Sequence, residues 1–373
     1  MTREPRADLA VKSVLHLLGA LCATAALASA GASPAEAPPG TDEHAHHGAR
    51  MDATHTAHSG HIPSHAPIGV MGEHMHRAGG FMLSYRYERM RMEGNRDDSH
   101  RVDEDEILLP GGRYMVSPRD MNMEMHMFGA MYAPTDWLTL TAMIPYVKLR
   151  MDHVMASGNR FSTRSDGPGD LSFGGLWKLF ERGGHHVHLN TGLRFPTGGV
   201  SHEDEVPVPM LGFANRRLPY PMQIGSGTWD LLPGLTYTGR GSWLTWGAQA
   251  IGTVRLGHNR HGYRLGNRAD ATAWVGLPLF GWLDLSGRVA YAYWGNINNR
   301  DDSLNPNAVP TADPDKRAGH RVDLLGGASF VLPGGWWGHH RLGIEAGAPV
   351  VQWLDGPQLE TDWRVIAGWQ LTF

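Results

Sequence analysis

The sequence predicts an all-β fold, a transmembrane antiparallel β-barrel of about twelve strands, and three observations carry that prediction. In the C-terminal stretch 363–373, every second residue is apolar: Trp363, Val365, Ala367, Trp369, Leu371 and Phe373. That is the period of a strand, not of a helix. The other face carries Arg364, Gly368, Gln370 and Thr372, with Ile366 as the one exception, so one side suits lipid and the other a polar lumen. The second observation is that tight Gly- or Pro-bearing turns alternate strictly with longer polar connections, as in a barrel with short periplasmic turns and long extracellular loops. The third is an export signal at the N-terminus.

That signal comes first in the chain. Arg3, Arg6 and Lys12 precede an apolar run from Val14 to Ala28, and a small-residue Ala28-Ser29-Ala30 motif follows. Together they read as a signal peptide over residues 1–30, the run falling short of the ~20 residues a spanning helix needs. Cys22, the one cysteine, lies inside this run, so the exported chain is expected to have neither disulfides nor thiolate metal sites. Removing residues 1–30 takes three basic and two acidic side chains from the 33 and 37 of the whole chain, leaving 30 against 35. Such a balance gives no reason to expect a nucleic-acid partner. Mean hydropathy is -0.33 and no later segment approaches 18 consecutive apolar residues, which excludes a helical membrane protein but permits a barrel.

Residues 31–78 form a His-rich periplasmic segment, with nine of the 22 histidines at positions 44, 46, 47, 55, 58, 61, 65, 74 and 76. Imidazole with thioether is a ligand set suited to copper, and imidazole alone to zinc. The candidate metal ligands are His44, His46, His47, Met71, His74, Met75 and His76, with Cu or Zn as the ion. A solvated linker with weakly chelating histidines is the alternative. Ile68-Gly-Val-Met71 is apolar and glycine-bearing, a composition that suits burial in the barrel mouth as a partial plug.

The barrel itself is expected over 79–373. A period-2 template gives strands at 79–92, 113–133, 136–149, 169–181, 185–197, 226–239, 242–256, 263–277, 282–295, 320–332, 338–350 and 361–373. Tight turns fall at 133–136, 181–184, 239–241, 278–281 and 333–337, so both termini belong on the periplasmic side. Val187, Leu189, Leu193 and Phe195 alternate with His186, His188, Asn190 and Arg194, and Leu283, Leu285, Val289, Tyr291 and Tyr293 oppose Asp284, Ser286 and Arg288. The candidate lumen residues are Arg86, Glu88, Glu124, His126, His186, His188, Arg194, Arg268, Asp270, Asp284, Arg288 and Glu345, together with Arg255, Asp323, Arg341 and Arg364. Mixed signs suggest pairing across strands.

Fourteen of the 18 methionines lie between Met71 and Met155. Met121, Met123, Met125, Met127 and Met131 form one face of a strand whose other face carries Asn122, Glu124 and His126. Flexible apolar methionines are expected toward lipid, with Glu124 and His126 toward the lumen; a thioether path for a soft cation is the alternative.

Four stretches resemble the outer-membrane proteins grouped with the meta-pathway of phenol degradation: Ala66-Pro-Ile-Gly-Val-Met-Gly-Glu-His-Met-His76, Gly80-Phe-Met-Leu-Ser-Tyr-Arg-Tyr87, the segment from Met121 to Pro134, and Asp170-Leu-Ser-Phe-Gly174. The resemblance covers roughly 66–373 and implies an outer-membrane barrel that moves small, often apolar compounds, with no ligand residues to carry over. The expected partners are outer-membrane lipid, a small-molecule solute and the barrel assembly machinery. The competing class is a barrel enzyme. With no Gly-x-Ser-x-Gly elbow and no His-Glu-x-x-His pair in the sequence, no catalysis is expected.

Overall fold

The computed structural model describes residues 65–208, 212–335 and 338–373. The candidate signal peptide and His44, His46 and His47 lie outside the described residues. The described residues form sixteen strands: β1 (Phe81–Asp98), β2 (His100–Val102), β3 (Val116–Thr135), β4 (Leu138–Met155), β5 (Arg160–Pro168), β6 (Ser172–Arg182), β7 (His185–Arg194), β8 (Glu203–Val208), β9 (Gly212–Arg217), β10 (Trp229–Leu231), β11 (Gly234–Arg240), β12 (Thr245–Leu256), β13 (Arg268–Phe280), β14 (Leu283–Trp294), β15 (Gly319–Gly335) and β16 (Gly338–Thr372).

The ring closes. β12 pairs β11, and the antiparallel order continues through β7, β6, β4, β3, β1, β16, β15, β14 and β13 back to β12, giving a barrel of 11 strands; β2 and β5 lie off this path, and the short β10 pairs β7 and β12 in line with β11. Closure leaves no unpaired sheet edge, which is the condition for a sheet to sit in hydrocarbon. β16 is 35 residues long and serves as two staves. Residues up to Leu354 pair β15, and residues from Leu354 onward pair β1. Arg341 Nη1 donates to Gln370 Oε1 at 2.9 Å across the two arms. Counting both arms recovers the expected dozen.

The loop expected at 351–360 is strand instead, because Val351 and Trp353 extend the ladder against Val322 and His320 of β15, residue types that favour a pleated surface. Three more expected connections carry paired structure. β4 runs on to Met155 and pairs β5, β1 runs on to Asp98 and pairs β2, and β8 and β9 form a hairpin within 198–225. The strand expected at 226–239 is broken between β10 and β11 by Pro233, which has no N–H to give to a ladder.

The short connections at 136–137, 183–184, 241–244 and 281–282 all lie at one end with the start of β1 and the C-terminus. Around the opposite, loop end, Tyr220, Tyr263, Ile297, Leu304 and Ala312 pack into a buried cluster that joins three long connections.

Strand parity sorts the side chains. Leu285, Tyr293, Leu324, Leu342 and Ile344 are exposed on the outside, while Asp284, Arg288, Asp323, Arg341 and Glu345 are buried inside. The closing strand behaves likewise, with Phe373 exposed and Gln370 and Ile366 buried. Ile344→Arg is expected to cost about 2–4 kcal/mol if the site lies near a bilayer midplane, read as a lower urea midpoint for the lipid-reconstituted barrel. Deleting Phe373, or making Trp369→Asp, is expected to lower assembled barrel in cell envelopes, and unchanged levels would contradict the outward assignment of this face.

Candidate functional site: the barrel lumen

Residues 65–80 enter the ring at the turn end and fold back to β1. Arg341 donates to the carbonyl of Ala66, and Arg86 Nε donates to the carbonyl of Ile68 at 2.7 Å. Gly69 N donates to Glu345 Oε2 at 3.0 Å, Gln249 Nε2 to the carbonyl of Met71 at 2.9 Å, and His76 N to Thr139 Oγ1 at 3.1 Å. His188 Nε2 lies 2.9 Å from the carbonyl of Gly72; since a carbonyl only accepts, this nitrogen carries the proton. Strands from every side of the ring therefore hold one short segment by its backbone.

Its side chains are held by shape. Ile68 is 1 % exposed and sits on two glycines: a Cβ added at Gly343 or Gly368 would lie 2.8 or 2.6 Å from an Ile68 carbon. Ala66 and Val70 pack against Trp274. Ile366, the apolar exception on the closing strand, stands beside Gly69, where an added Cβ would meet it at 2.8 Å. What breaks the period-2 pattern there is the packing of this segment.

Above the segment the charged candidates pair. Arg288 meets Glu345 through two hydrogen bonds, at 2.5 and 3.1 Å. Arg364 bridges Glu88 at 3.3 Å and Asp323 at 3.1 Å, and Arg321 lies 2.9 Å from Asp323. Arg268 and Asp270 pair at 2.6 Å. They remain accessible to water although enclosed by the ring, because both border a central cavity of about 390 Å³. Arg194 and Arg255 converge on Asp230, at 3.6 and 2.7 Å. Asp284 is buried on the same inner face. His186 and His188 sit on β7 with ring centroids 5.4 Å apart.

Glu124 and His126 are corrected. The methionine face of β3 points inward: Met121, Met127 and Met131 are buried, whereas Phe128 and Tyr132 are exposed on the face that Glu124 and His126 share. His126 Nδ1 lies 2.8 Å from the hydroxyl of Tyr85 and its ring 5.2 Å from that of Tyr87, both on the outer face of β1. Glu124 stands between Arg89 and Lys148 in register. The physical reason is height along the strand. Toward the loop end the outer surface has passed the apolar belt and is polar, while the lumen at that level is apolar.

That apolar level is a cluster of Met121, Val147, Leu149, Met151, Leu218 and Met222, with Met92, Met123, Met125 and Ile224 packed on it. The cavity below is walled by Met71, Met82, Met127, Met131, Met143 and Leu176 as well as by the charged residues. The metal candidates separate accordingly. Met71 borders the cavity and Met75 packs on Met82, Met131 and Leu176, while His74 groups with His65 and Glu73.

Sequence reasoning missed Trp274, Asp230, Glu73 and the glycine pair under Ile68. Only Asp230 left a signal, an acid between aromatic and aliphatic neighbours at inward parity. At the loop end, Asp301 is buried, which raises its pKa. Hydrogen bonds from the hydroxyl and amide of Ser303 and the guanidinium of Arg217 outweigh that and hold it below the usual carboxylate range.

No protein-family model matches the sequence, so the phenol-pathway likeness stays a resemblance. No curated protein matches either. Among solved structures, the chain is similar to an outer membrane channel from Pseudomonas putida F1, at 10% identity and TM-score 0.55, covering 82% of this chain and 100% of that one. Weaker likenesses include the transport unit of the autotransporter AIDA-I from Escherichia coli (9% identity, 82% and 94% covered, TM-score 0.43) and the TodX monoaromatic hydrocarbon channel (10% identity, 80% and 91% covered, TM-score 0.41). At these identities the first likeness shows the fold, a closed antiparallel barrel, and the others carry no argument.

Proposed function

We propose that this protein is a passive conduit of the Gram-negative outer membrane for small apolar or aromatic molecules, with the turn end in the periplasm and residues 66–78 as a partial plug. The observation that carries the reading is the methionine-rich level of the lumen. Below the packed apolar level, Met71, Met82, Met127, Met131 and Met143 wall a cavity of about 390 Å³ that offers a dissolved aromatic a favourable contact, and flexible thioethers adapt to varied shapes. A lumen built for ions or sugars would carry polar side chains there. The outward apolar belt supports membrane insertion, and the first structural likeness is to a protein described as an outer membrane channel.

The test is flux of phenol into proteoliposomes. Protein-containing vesicles are expected to fill faster than empty ones, and Met123→Lys with Met125→Lys is expected to slow them severalfold by placing ammonium groups in the apolar level. Equal rates for lysine variant and wild type would overturn the proposed path.

A second reading, divalent-metal handling at the outer membrane, is favoured by the convergence of His65, Glu73 and His74. It has its own test below.

A further inference from the structure

The segment held inside the ring brings together side chains that its backbone contacts do not use. His65, Glu73 and His74 offer ligand atoms that all lie within 4.8 Å of one another. Glu73 Oε1 stands 2.9 Å from His74 Nδ1, close but outside hydrogen-bond geometry, and the His76 ring centroid is 4.8 Å from that of His74. The Glu73 side chain is 4% exposed, and its nearest guanidinium, Arg341, is 3.8 Å away, beyond hydrogen-bonding range. Among the described residues, Glu73 Oε1, His74 Nδ1 and His76 Nε2 are buried and make no hydrogen bond.

Buried polar atoms are nearly always satisfied; Glu73 Oε1 and His74 Nδ1 face each other at 2.9 Å without a hydrogen bond, with a His65 ring nitrogen in reach, and one shared cation would satisfy them together. We propose that His65, Glu73 and His74 bind one divalent transition-metal ion of the zinc and copper class, with His76 beside them. Two imidazoles and a carboxylate form a borderline set that suits such ions, whereas magnesium and calcium prefer oxygen alone. Bonds of about 2.0–2.1 Å place tetrahedral ligand atoms about 3.4 Å apart, so the group closes by a movement on the order of 1 Å. The thioethers of Met71 and Met75 face other surroundings and leave the set to nitrogen and oxygen. The ion ties residue 65 to residues 73 and 74, closing the segment into a loop around Ile68 and Val70. Metal binding here does not depend on the conduit reading.

The experiment uses the full chain in detergent, stripped with chelator and titrated at neutral pH with Zn²⁺, with Co²⁺ as a spectroscopic probe and Mg²⁺ as control. Glu73→Gln is expected to weaken the tightest equivalent of Zn²⁺ at least about tenfold and to abolish the tetrahedral visible absorption of bound Co²⁺. His65→Gln repeats the test with a residue that makes no hydrogen bond to the barrel among the described residues, and heat-modifiable gel mobility confirms that each variant is folded. Unchanged Zn²⁺ affinity and an unchanged Co²⁺ spectrum in the folded variants would overturn the site and assign the uptake to the other histidines. Displacement of Zn²⁺ by equimolar Mg²⁺ would overturn the ligand assignment as well.

Discussion

Replacing Glu345 with alanine is expected to destabilise the barrel by about 3–5 kcal/mol, because it leaves a buried guanidinium without its counter-charge. Arg288 and Glu345 have side chains 5% and 1% exposed. The carboxylate also accepts from the amide of Gly69, so the same change releases the segment inside the ring. A surface pair would contribute no more than about 1 kcal/mol; the difference here is desolvation of both ions. The double change Glu345→Ala with Arg288→Met is expected to recover much of the loss, since it removes the orphaned charge. Urea unfolding of the four forms in lipid checks this as a double-mutant cycle. A loss below about 1 kcal/mol for Glu345→Ala would mean that water in the cavity solvates Arg288 as well as the carboxylate does.

Gly368→Val is expected to have the larger effect on permeation. Ile68 lies against Gly343 and Gly368 so closely that any side chain at either glycine overlaps it. The barrel strand is fixed by its ladders to β1 and β15, whereas the segment is held by a few hydrogen bonds, so the segment is the part that gives way. Phenol flux is expected to rise severalfold while the heat-modifiable mobility of the barrel is retained. Ile68→Ala with Gly368→Val should restore part of the seal by making room for the valine. Flux that stays at the wild-type rate in folded Gly368→Val would show that residues 66–78 do not limit passage.

The barrel was legible in the sequence where its outer and inner faces differ in polarity. Asp284 and Arg288 against Leu285 and Tyr293 read correctly because the charges lie inside and the apolar side chains outside. β3 read with the wrong face inward, because the rule assumes a polar lumen, and at the level of Met121 to Met127 the lumen is apolar. Phe128 and Tyr132 carried the correction, since two large exposed aromatics beside a tight turn fix the outer face and put Glu124 and His126 on it. Ile366 could only be understood through Gly69, 297 positions away in the chain, and the seat of Ile68 on Gly343 and Gly368 has no local signature. The His65–Glu73–His74 group was half visible. Its histidines were counted, but the carboxylate between them depends on the turn the segment makes inside the ring, so the neighbouring thioethers drew the assignment instead.

The central claim is that solutes cross through a lumen narrowed by residues 66–78. The most direct measurement is flux of a phenolic compound, with copper ions in parallel, through proteoliposomes carrying either the intact chain or one lacking 66–78. The account predicts phenol passage in the intact protein, a marked increase in the deletion, and copper passage slower than phenol in the intact form. No passage of either solute in either form would contradict it.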